Sequence, residues 1–597
     1  MKIRVADYIA QYLASIGVRK VFLLSGGGMM HLLDAIARTP DIQYICHHHE
    51  QAAAMAAEGC ARQSGSIGVC YVTSGPGTPN TLTGVIGAWF DSTPMLVVSG
   101  QAKLAHTNSY RHIDGLRQFG AYDLNSVDIM QPVTKYAVML TEANSVRYHL
   151  EKAIHLATAG RPGPVFIDVP LDMQGALIDP DTLEGYTPEA EKRTPIPQAV
   201  IDEAMEKLRR AERPVILAGH GIRSAHAWHA FEQVIRDLNV PVVTTQMATD
   251  LMGHDDPLMV GRCGTKGDRA GNLAIQMADV ILILGTSLHV TTTGYEVELF
   301  APRAFKIQVE LDAAVLQREQ VGVQLKIQSA VEDFLALMTR AMSSEHRPVV
   351  TTGPWHERCQ IWKHELAVRN EPHKRPAEAI NYYDLMDVLS DVAAPHDTVI
   401  SDAGSAWYLI SQAFKVKRGQ RIILSGGLGT MGYALPCATG VAAAGAQRVL
   451  CVTGDGSLMT ALHELAVIRA NDMNVKLIIA NNNGYASIRN TQNAYFSGKL
   501  AGTGPESGIY FPDFQRLAQS FEIKYLRVSE LALLRGVLDE AMAFEGPVFC
   551  EIITPDNQEI IPTVTTVRHD DGRLESKPLE DMFPFLGEDA RRKYLSF

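Results

Sequence analysis

Two short stretches, Gly454-Asp455-Gly456-Ser457 and Asn481-Asn482-Asn483-Gly484, carry residue types that together could hold a magnesium ion and a diphosphate. Each follows an apolar run, RVLCV and VKLIIA, so both belong at the carboxyl edge of one parallel sheet, where open α/β folds bind ligands. Magnesium takes oxygen ligands in octahedral geometry and usually combines one or two protein oxygens with substrate phosphates. Asp455 offers a carboxylate, Asn482 an amide oxygen and Gly484 a backbone carbonyl. Between the two stretches, Leu458, Leu462, Leu465 and Ile468 recur at helical spacing. That predicts a helix starting at the GDGS turn, its amide-rich end toward a phosphate. Either stretch alone is an ordinary strand-end turn, and only their joint placement points to a ligand. A further carboxylate, Glu50, sits in HHHEQAAAMAAEGCAR (47–62) at the mouth of an alanine-rich helix, where the dipole alone would favour it. The three histidines before it invite a metal reading, but consecutive strand residues alternate faces.

Positioning such residues takes parallel sheets. Short β-branched runs alternate with helical patterns along the chain, which predicts an α/β protein of three doubly wound parallel-sheet domains. The first, 1–178, opens with a helix bearing Val5, Ile9, Tyr12 and Leu13, and has strands at Val21–Leu24, Val69–Thr73, Met95–Ser99 and Val165–Val169. Asp179–Pro197, rich in Pro, Glu and Thr, reads as a linker to a central domain, 195–342, with RPVILAGHG, VPVVTT, ADVILILGTS and KIQVELD as strands. Ser343–Pro354 reads as a second linker. The third domain, 375–561, carries TVISDAG, RVLCVTGDG, VKLIIANNN and PVFCEI, and leaves a charged, aromatic tail, 562–597, expected to wrap a neighbouring surface.

Composition narrows the function classes. The 597 residues are 46% hydrophobic and 20% charged, an ordinary globular balance that excludes a largely disordered chain. A net charge of −12 argues against nucleic acid as partner. Eight cysteines without close pairing point to a reducing compartment. Neither a signal peptide nor an apolar run of about 20 residues stands out, so a cytoplasmic protein with no membrane span is expected.

GDG followed by NN resembles the diphosphate–magnesium motif of thiamine-diphosphate enzymes, and HEQAA in 49–53 resembles the motif with which that family supplies a glutamate from another domain. The resemblance implies that Asp455, Asn482 and the Gly484 carbonyl hold the metal. Gly454, Gly456 and Ser457 would contact the diphosphate, with Gly404, Ser405 and Ala406 at the same end. Glu50 would bond the aminopyrimidine ring nitrogen, favouring the imino tautomer that takes the proton from the thiazolium C2. Thr73-Ser74-Gly75-Pro76-Gly77, with Asn80, resembles the loop that packs on the cofactor beside the glutamate, placing Pro76 and Asn80 there. SGGLGTMGYALP (425–436) resembles the segment whose carbonyl, here Gly429, accepts from the amino group. Its apolar wedge, here Met431, bends the cofactor; a buried core methionine is the plainer alternative. By the same resemblance His49 lines the active site, Gly27 and Gly28 form its glycine-rich turn, and Gln118 matches an active-site glutamine, a surface-loop glutamine being the alternative.

The likeness covers essentially the whole chain, in the order pyrimidine-binding, central and diphosphate-binding domain, as in acetolactate synthase, pyruvate oxidase and pyruvate decarboxylase. RQFGAYDLNSVDIMQPVTKYAV (117–138), GSAWYLISQAFKVKRGQR (404–421), GYASIRNTQ (484–492) and SKPLEDMFPFL (576–586) most resemble acetolactate-synthase-like enzymes of polysaccharide and nucleotide-sugar clusters. The implied activity is carboligation. Pyruvate, or another small 2-oxo acid, is converted to an enamine, and the two-carbon unit passes to a carbonyl acceptor such as a keto-sugar nucleotide. The alternatives are acetolactate synthase itself, or a lyase or hydrolase of a 2-oxo acid or diketone. A catalytically silent scaffold homologue is disfavoured by the intact Glu50, Asp455 and Asn482. NNNGYASIRNTQNAYF departs from the acetolactate synthase pattern of the acceptor pocket, and Arg489 within it either meets an anionic acceptor or is a solvated loop arginine. In the central domain, Gly219-His220-Gly221, Gly285-Thr286-Ser287 and Asp312 end strands where FAD could lie, yet GTSLHVTTTG lacks the arginine that acetolactate synthases place after the first glycine. Because Glu50 and the metal motif belong to different domains, the family pairs them across a subunit interface. A homodimer at least, and a homotetramer as a dimer of dimers, is expected.

Overall fold

The computed structural model of the chain describes residues 1–189, 195–343, 353–496, 498–568 and 571–595. The two expected linkers fall partly outside them. Three six-stranded sheets dominate the fold. The first comprises β1 (Lys20–Leu23), β2 (Gln43–Cys46), β3 (Gly68–Val72), β4 (Met95–Gln101), β5 (Ala137–Met139) and β6 (Pro164–Pro170), in the order β2-β1-β3-β4-β6-β5. The central sheet comprises β7 (Pro214–Ala218), β8 (Val242–Thr244), β9 (Met259–Arg262), β10 (Val280–Leu284), β11 (Phe305–Glu310) and β12 (Leu325–Gln328), in the order β9-β8-β7-β10-β11-β12. The third comprises β13 (Thr398–Ser401), β14 (Arg421–Leu424), β15 (Val449–Gly454), β16 (Val475–Asn481), β17 (Lys524–Val528) and β18 (Val548–Ile553), in the order β14-β13-β15-β16-β18-β17. All pairings within the three are parallel. The inner strands are buried nearly end to end, as sheets covered by helices on both faces require.

The first and third sheets share one strand order, so the outer parts of the chain are two versions of one fold. Equivalent helices meet between them: α1 (Glu50–Ser64), followed by α2 (Gly77–Phe90), and, past α3 (Gly404–Ala413), α4 (Ala434–Ala443). Contact between α1 and α4 is closer than side chains allow. A Cβ on Gly440 would lie 1.8 Å from the Ala56 carbonyl oxygen, and one on Gly59 2.5 Å from that of Cys437. These pairs run in opposite sequence directions, so the helices are antiparallel. The alanine richness of 52–57 is thereby explained: every one of these positions but Met55 is alanine, and all are buried.

The helix expected from Leu458 to Ile468 is broken. It forms α5 (Asp455–Met459), a tight turn at Leu462–Glu464, and α6 (Leu465–Ala470). The break turns Glu464 inward, where its carboxylate meets His47 Nδ1 at 2.8 Å and accepts from the His48 N–H at 3.1 Å. A helix at Gly353–Glu365 buries Trp355, Cys359 and Trp362 against the central sheet. The tail packs on the same unit of its own chain. Leu579 and Met582 are buried there, and Arg269 donates to the carbonyls of Met582 (3.1 Å) and Pro584 (2.5 Å).

Candidate functional site

Adjacent strands β13, β15 and β16 end at one edge of the third sheet, and each is followed by an expected site segment. After β15, Asp455 is buried, its Oδ1 accepting from the Gly456 N–H and its Oδ2 from the Gly484 N–H, both at 2.8 Å. Gly484 has φ +141° and a Cβ there would lie 2.0 Å from the Thr503 carbonyl, so only glycine fits. Asn482 follows β16 and is buried; its Nδ2 donates to the Tyr382 hydroxyl at 2.7 Å, while its Oδ1 has no partner in the chain. A buried amide oxygen left bare beside a buried carboxylate is costly unless a cation takes it. Burial pushes the Asp455 carboxyl up to about 7, and it raises Asp402 as well. The donor set of one carboxylate, one amide oxygen and a backbone carbonyl therefore fits a hard divalent ion. Among the described residues, no group of three or more His, Cys, Asp and Glu side chains is placed to hold a metal.

α3 begins at Gly404, with Ser405 and Ala406 buried in its first turn. Gly454 closes β15 just ahead of α5, which is only five residues long, so its dipole is weaker than a full helix would give. The Ser457 hydroxyl is turned inward, donating to Asp402 (2.7 Å) and accepting from the Gly432 N–H (2.9 Å). Asp402 and Tyr382 escaped the sequence reading. Asp402 closes TVISD at a strand end, a usable signal, whereas nothing in the sequence ties Tyr382 to Asn482. Gly429 and Met431 lie on the turn before α4, and Met431 is 44% exposed, which sets aside a core role.

The other half lies on the first sheet. Glu50 opens α1 and is buried, its Oε2 accepting from Asn80 Nδ2 at 2.9 Å. Pro76 caps α2, whose first turn carries Asn80. Gly28 donates its N–H to Thr73 Oγ1 (3.1 Å), and a Cβ on it would meet Ser74 Oγ at 2.3 Å. A Cβ on Gly27 would meet nothing, so that glycine borders open space. The histidines diverge: His47 is buried, His48 exposed, and His49 caps α1 by accepting from the Gln51 N–H at 3.1 Å. Gln118 is exposed on a loop, donating to the Asp123 carbonyl at 3.1 Å, and meets neither Glu50 nor Asn80.

The structure does not bring Glu50 and Asp455 of one chain together. The start of α1 faces Glu464, while its end faces β14 and the turn before α4. Arg62 there donates to the Leu424 carbonyl at 2.7 Å, next to the Gly432 that binds Ser457. α1 has 15 residues, a length of about 22 Å. The two halves thus sit at opposite ends of the α1–α4 pair.

Both expectations for Arg489 are corrected. It lies in α7 (Ala486–Tyr495), is buried, and donates to four carbonyls, those of Asn482 (3.2 Å), Asn483 (2.8 Å), Thr503 (3.2 Å) and Asp556 (2.7 Å). It therefore braces the loop bearing Asn482 and Gly484, because only a buried guanidinium fork reaches so many acceptors. Arg489→Lys is expected to cost about 1–3 kcal/mol of stability in urea unfolding, through carbonyls left unpaired. Unchanged stability would free Arg489 for a ligand.

In the central sheet, the strand order reverses between β7 and β10, where a dinucleotide would lie. There the two glycine turns bind each other: Gly221 N–H donates to the Gly285 carbonyl at 2.8 Å, and a Cβ on Gly219 would lie 2.3 Å from that oxygen. His220 stands between those two glycines, and Thr286 Oγ1 accepts from the Leu288 N–H at 3.3 Å, beyond Ser287. Asp312 accepts from the Ala314 N–H at 2.9 Å and lies 3.4 Å from Arg161. The glycine turns, Thr286 and Asp312 thus find partners within the chain, whereas the buried Nδ1 of His220 has none.

A Gly-Asp-Gly turn and an Asn-Gly loop around a bare amide oxygen, with a helix-start glutamate on a matching sheet, fit a thiamine-diphosphate enzyme. The chain belongs to the thiamine pyrophosphate enzyme family: it matches the N-terminal TPP binding domain over residues 3–121, the central domain over 201–338 and the C-terminal TPP binding domain over 402–552. It is similar to a probable acetolactate synthase large subunit of Methanocaldococcus jannaschii, 31% identical over 94% of this chain and 93% of that one. A probable chloroplastic acetolactate synthase 2 of Oryza sativa subsp. japonica is 30% identical, over 94% and 84%. The acetolactate synthase isozyme 1 large subunit of Escherichia coli is 28% identical, over 94% and 95%. Among the described residues, no helix is long and apolar enough to cross a membrane.

Proposed function

We propose that the chain is a thiamine-diphosphate- and Mg2+-dependent decarboxylating carboligase, which takes pyruvate or another small 2-oxo acid and passes a two-carbon unit to a carbonyl acceptor. The observation that carries this reading is the bare, buried Asn482 Oδ1 beside Asp455. When bound, thiamine diphosphate supplies an acidic C2 and a sink for the electrons left by CO2. Asp455, Asn482 Oδ1 and the Gly484 carbonyl hold Mg2+, with Gly454, Gly456 and Gly404–Ala406 at the diphosphate. Glu50 holds a proton at the pyrimidine ring nitrogen, and Asn80 keeps its carboxylate in that orientation by the 2.9 Å bond. Pro76 packs beside them, Gly429 and Met431 orient the ring, and His49, Gly27, Gly28 and Gln118 border the substrate.

The separation of Glu50 from Asp455 along α1 supports a site built from two copies of the chain. So does the exposure of Met431 and of Tyr110, Ile113, Leu116, Phe119 and Tyr122 in the loop bearing Gln118. A homodimer is the minimum, and a dimer of dimers extends it.

Two acceptors are favoured by different observations. The altered stretch after Asn483, with Ile488, Tyr495 and Phe496 exposed, supports a keto-sugar nucleotide. The names of the relatives support a second pyruvate, as in acetolactate synthase. Labelled pyruvate followed by NMR, with enzyme, Mg2+ and thiamine diphosphate, separates them. A product that carries the two-carbon label only when the sugar nucleotide is present is expected. Acetolactate in its absence would assign the second acceptor, and no consumption in either tube would rule out pyruvate as the donor.

A further inference from the structure

The segment 425–432, which carries Gly429 and Met431, is held by the first domain of the same chain. Asp91 caps α2 at the end opposite Asn80, and it is buried. Its Oδ1 accepts from the Gly427 N–H at 2.7 Å and its Oδ2 from the Gly426 N–H at 2.9 Å. Arg62 Nη1 lies 3.3 Å from Asp91 Oδ2 and 3.3 Å from Glu58 Oε1, and donates to the Leu424 carbonyl. Burial pushes the Glu58 carboxyl up to about 8. The turn is also packed from both sides. A Cβ on Gly427 would lie 2.5 Å from Phe90 Cβ, and one on Gly426 2.4 Å from Met247 Sδ of the central domain. Gly429 and Met431, a few residues on, are exposed.

The geometry points to Asp91 as a positioning residue, whose carboxylate fixes the turn that presents Gly429 and Met431 to the cofactor. It also makes the α1–α2 pair a strut. Glu50 and Asn80 stand at the starts of the two helices, and Arg62 and Asp91 at their ends. One chain's helix pair thereby ties the glutamate half of one active site to the Met431 half of the other. This rests on the cofactor role of 425–432 proposed above.

Asp91→Asn tests it. The amide keeps the shape but turns an NH2 toward a backbone N–H, leaving one of the two glycine amides without an acceptor. In the holoenzyme, the dissociation constant for thiamine diphosphate at saturating Mg2+ is expected to rise about tenfold. Turnover at saturating cofactor should fall with it, while competition by inorganic diphosphate stays unchanged, because the Asp455 pocket is left intact. A general loss of folding would weaken both ligands alike. Met431→Ala, made alone and together with Asp91→Asn, decides how the effect is transmitted, since residues acting through one element are not additive. The double variant is expected to be no worse than Met431→Ala. Additive losses, or an Asp91→Asn enzyme like the parent, would overturn the positioning role. A Met431→Ala enzyme with unaltered cofactor binding and turnover would instead overturn the reading of the segment. Should Asp91→Asn not fold, Gly427→Ala, which lifts the same turn off Phe90 without touching charge, must give the same pattern.

Discussion

Glu50→Gln is expected to turn over about a hundred- to ten-thousandfold more slowly than the parent enzyme, the span that a positioned general acid–base group contributes. Its binding of thiamine diphosphate and Mg2+ should hardly change. Glutamine keeps the size of the side chain and an oxygen that can still accept from Asn80 Nδ2, so the start of α1 is undisturbed. What it loses is a carboxyl able to share a proton with the pyrimidine nitrogen. In the proposed site the metal and diphosphate are held by other residues, Asp455, Asn482 and Gly484, which is why affinity and turnover should separate. Turnover from steady-state assays and affinity from calorimetry check this. Undiminished turnover would remove Glu50 from the mechanism.

That separation was legible in the sequence only as far as local chemistry reaches. GDGS, NNNG and HHHEQAA are each contiguous, so their residue types announced them even though partners such as Asp402, Tyr382, Asn80 and Glu464 lie elsewhere. The inner strands announced themselves too, because burial on both faces demands apolar runs. Every strand passed over is a sheet edge: β2, β5, β9, β12, β14 and β17. β2, for instance, reads QYIC with three of its four residues exposed, a pattern that no periodicity rule separates from a loop. The remaining errors share a cause, which is partners distant in sequence. The helix after Asp455 breaks because Glu464 is drawn to His47 and His48, more than four hundred positions upstream. Arg489 reads as a loop cation until the carbonyls of Thr503 and Asp556 are folded around it. Asp91 and Gly426-Gly427 lie in segments whose patterns say nothing of each other.

Asp455→Ala should abolish the response to Mg2+ altogether. The variant lacks both the metal's carboxylate and the acceptor of the Gly484 N–H, so the loop that aims Asn482 Oδ1 loses its tether along with the ion. A ligand that binds only the folded state stabilises it by about 2.7 kcal/mol at a hundredfold excess over its dissociation constant. The parent protein should therefore melt at a higher temperature when thiamine diphosphate and Mg2+ are added together, and Asp455→Ala should not. A rise of equal size in the variant would place the metal elsewhere. Mixing the two inactive variants then tests the architecture itself. If each active site takes Glu50 from one copy and Asp455 from the other, a dimer of one Glu50→Gln chain and one Asp455→Ala chain has one site with both residues intact and one with neither. Co-expressed differently tagged chains, purified through both tags, should thus recover about half the parent's activity per dimer. If both residues served a site within one chain, every site in the mixed dimer would carry one defect and no activity would return. Recovery is the expected result, because Glu50 opens α1 while the other end of that helix, about 22 Å on, is the one that faces the turn before α4.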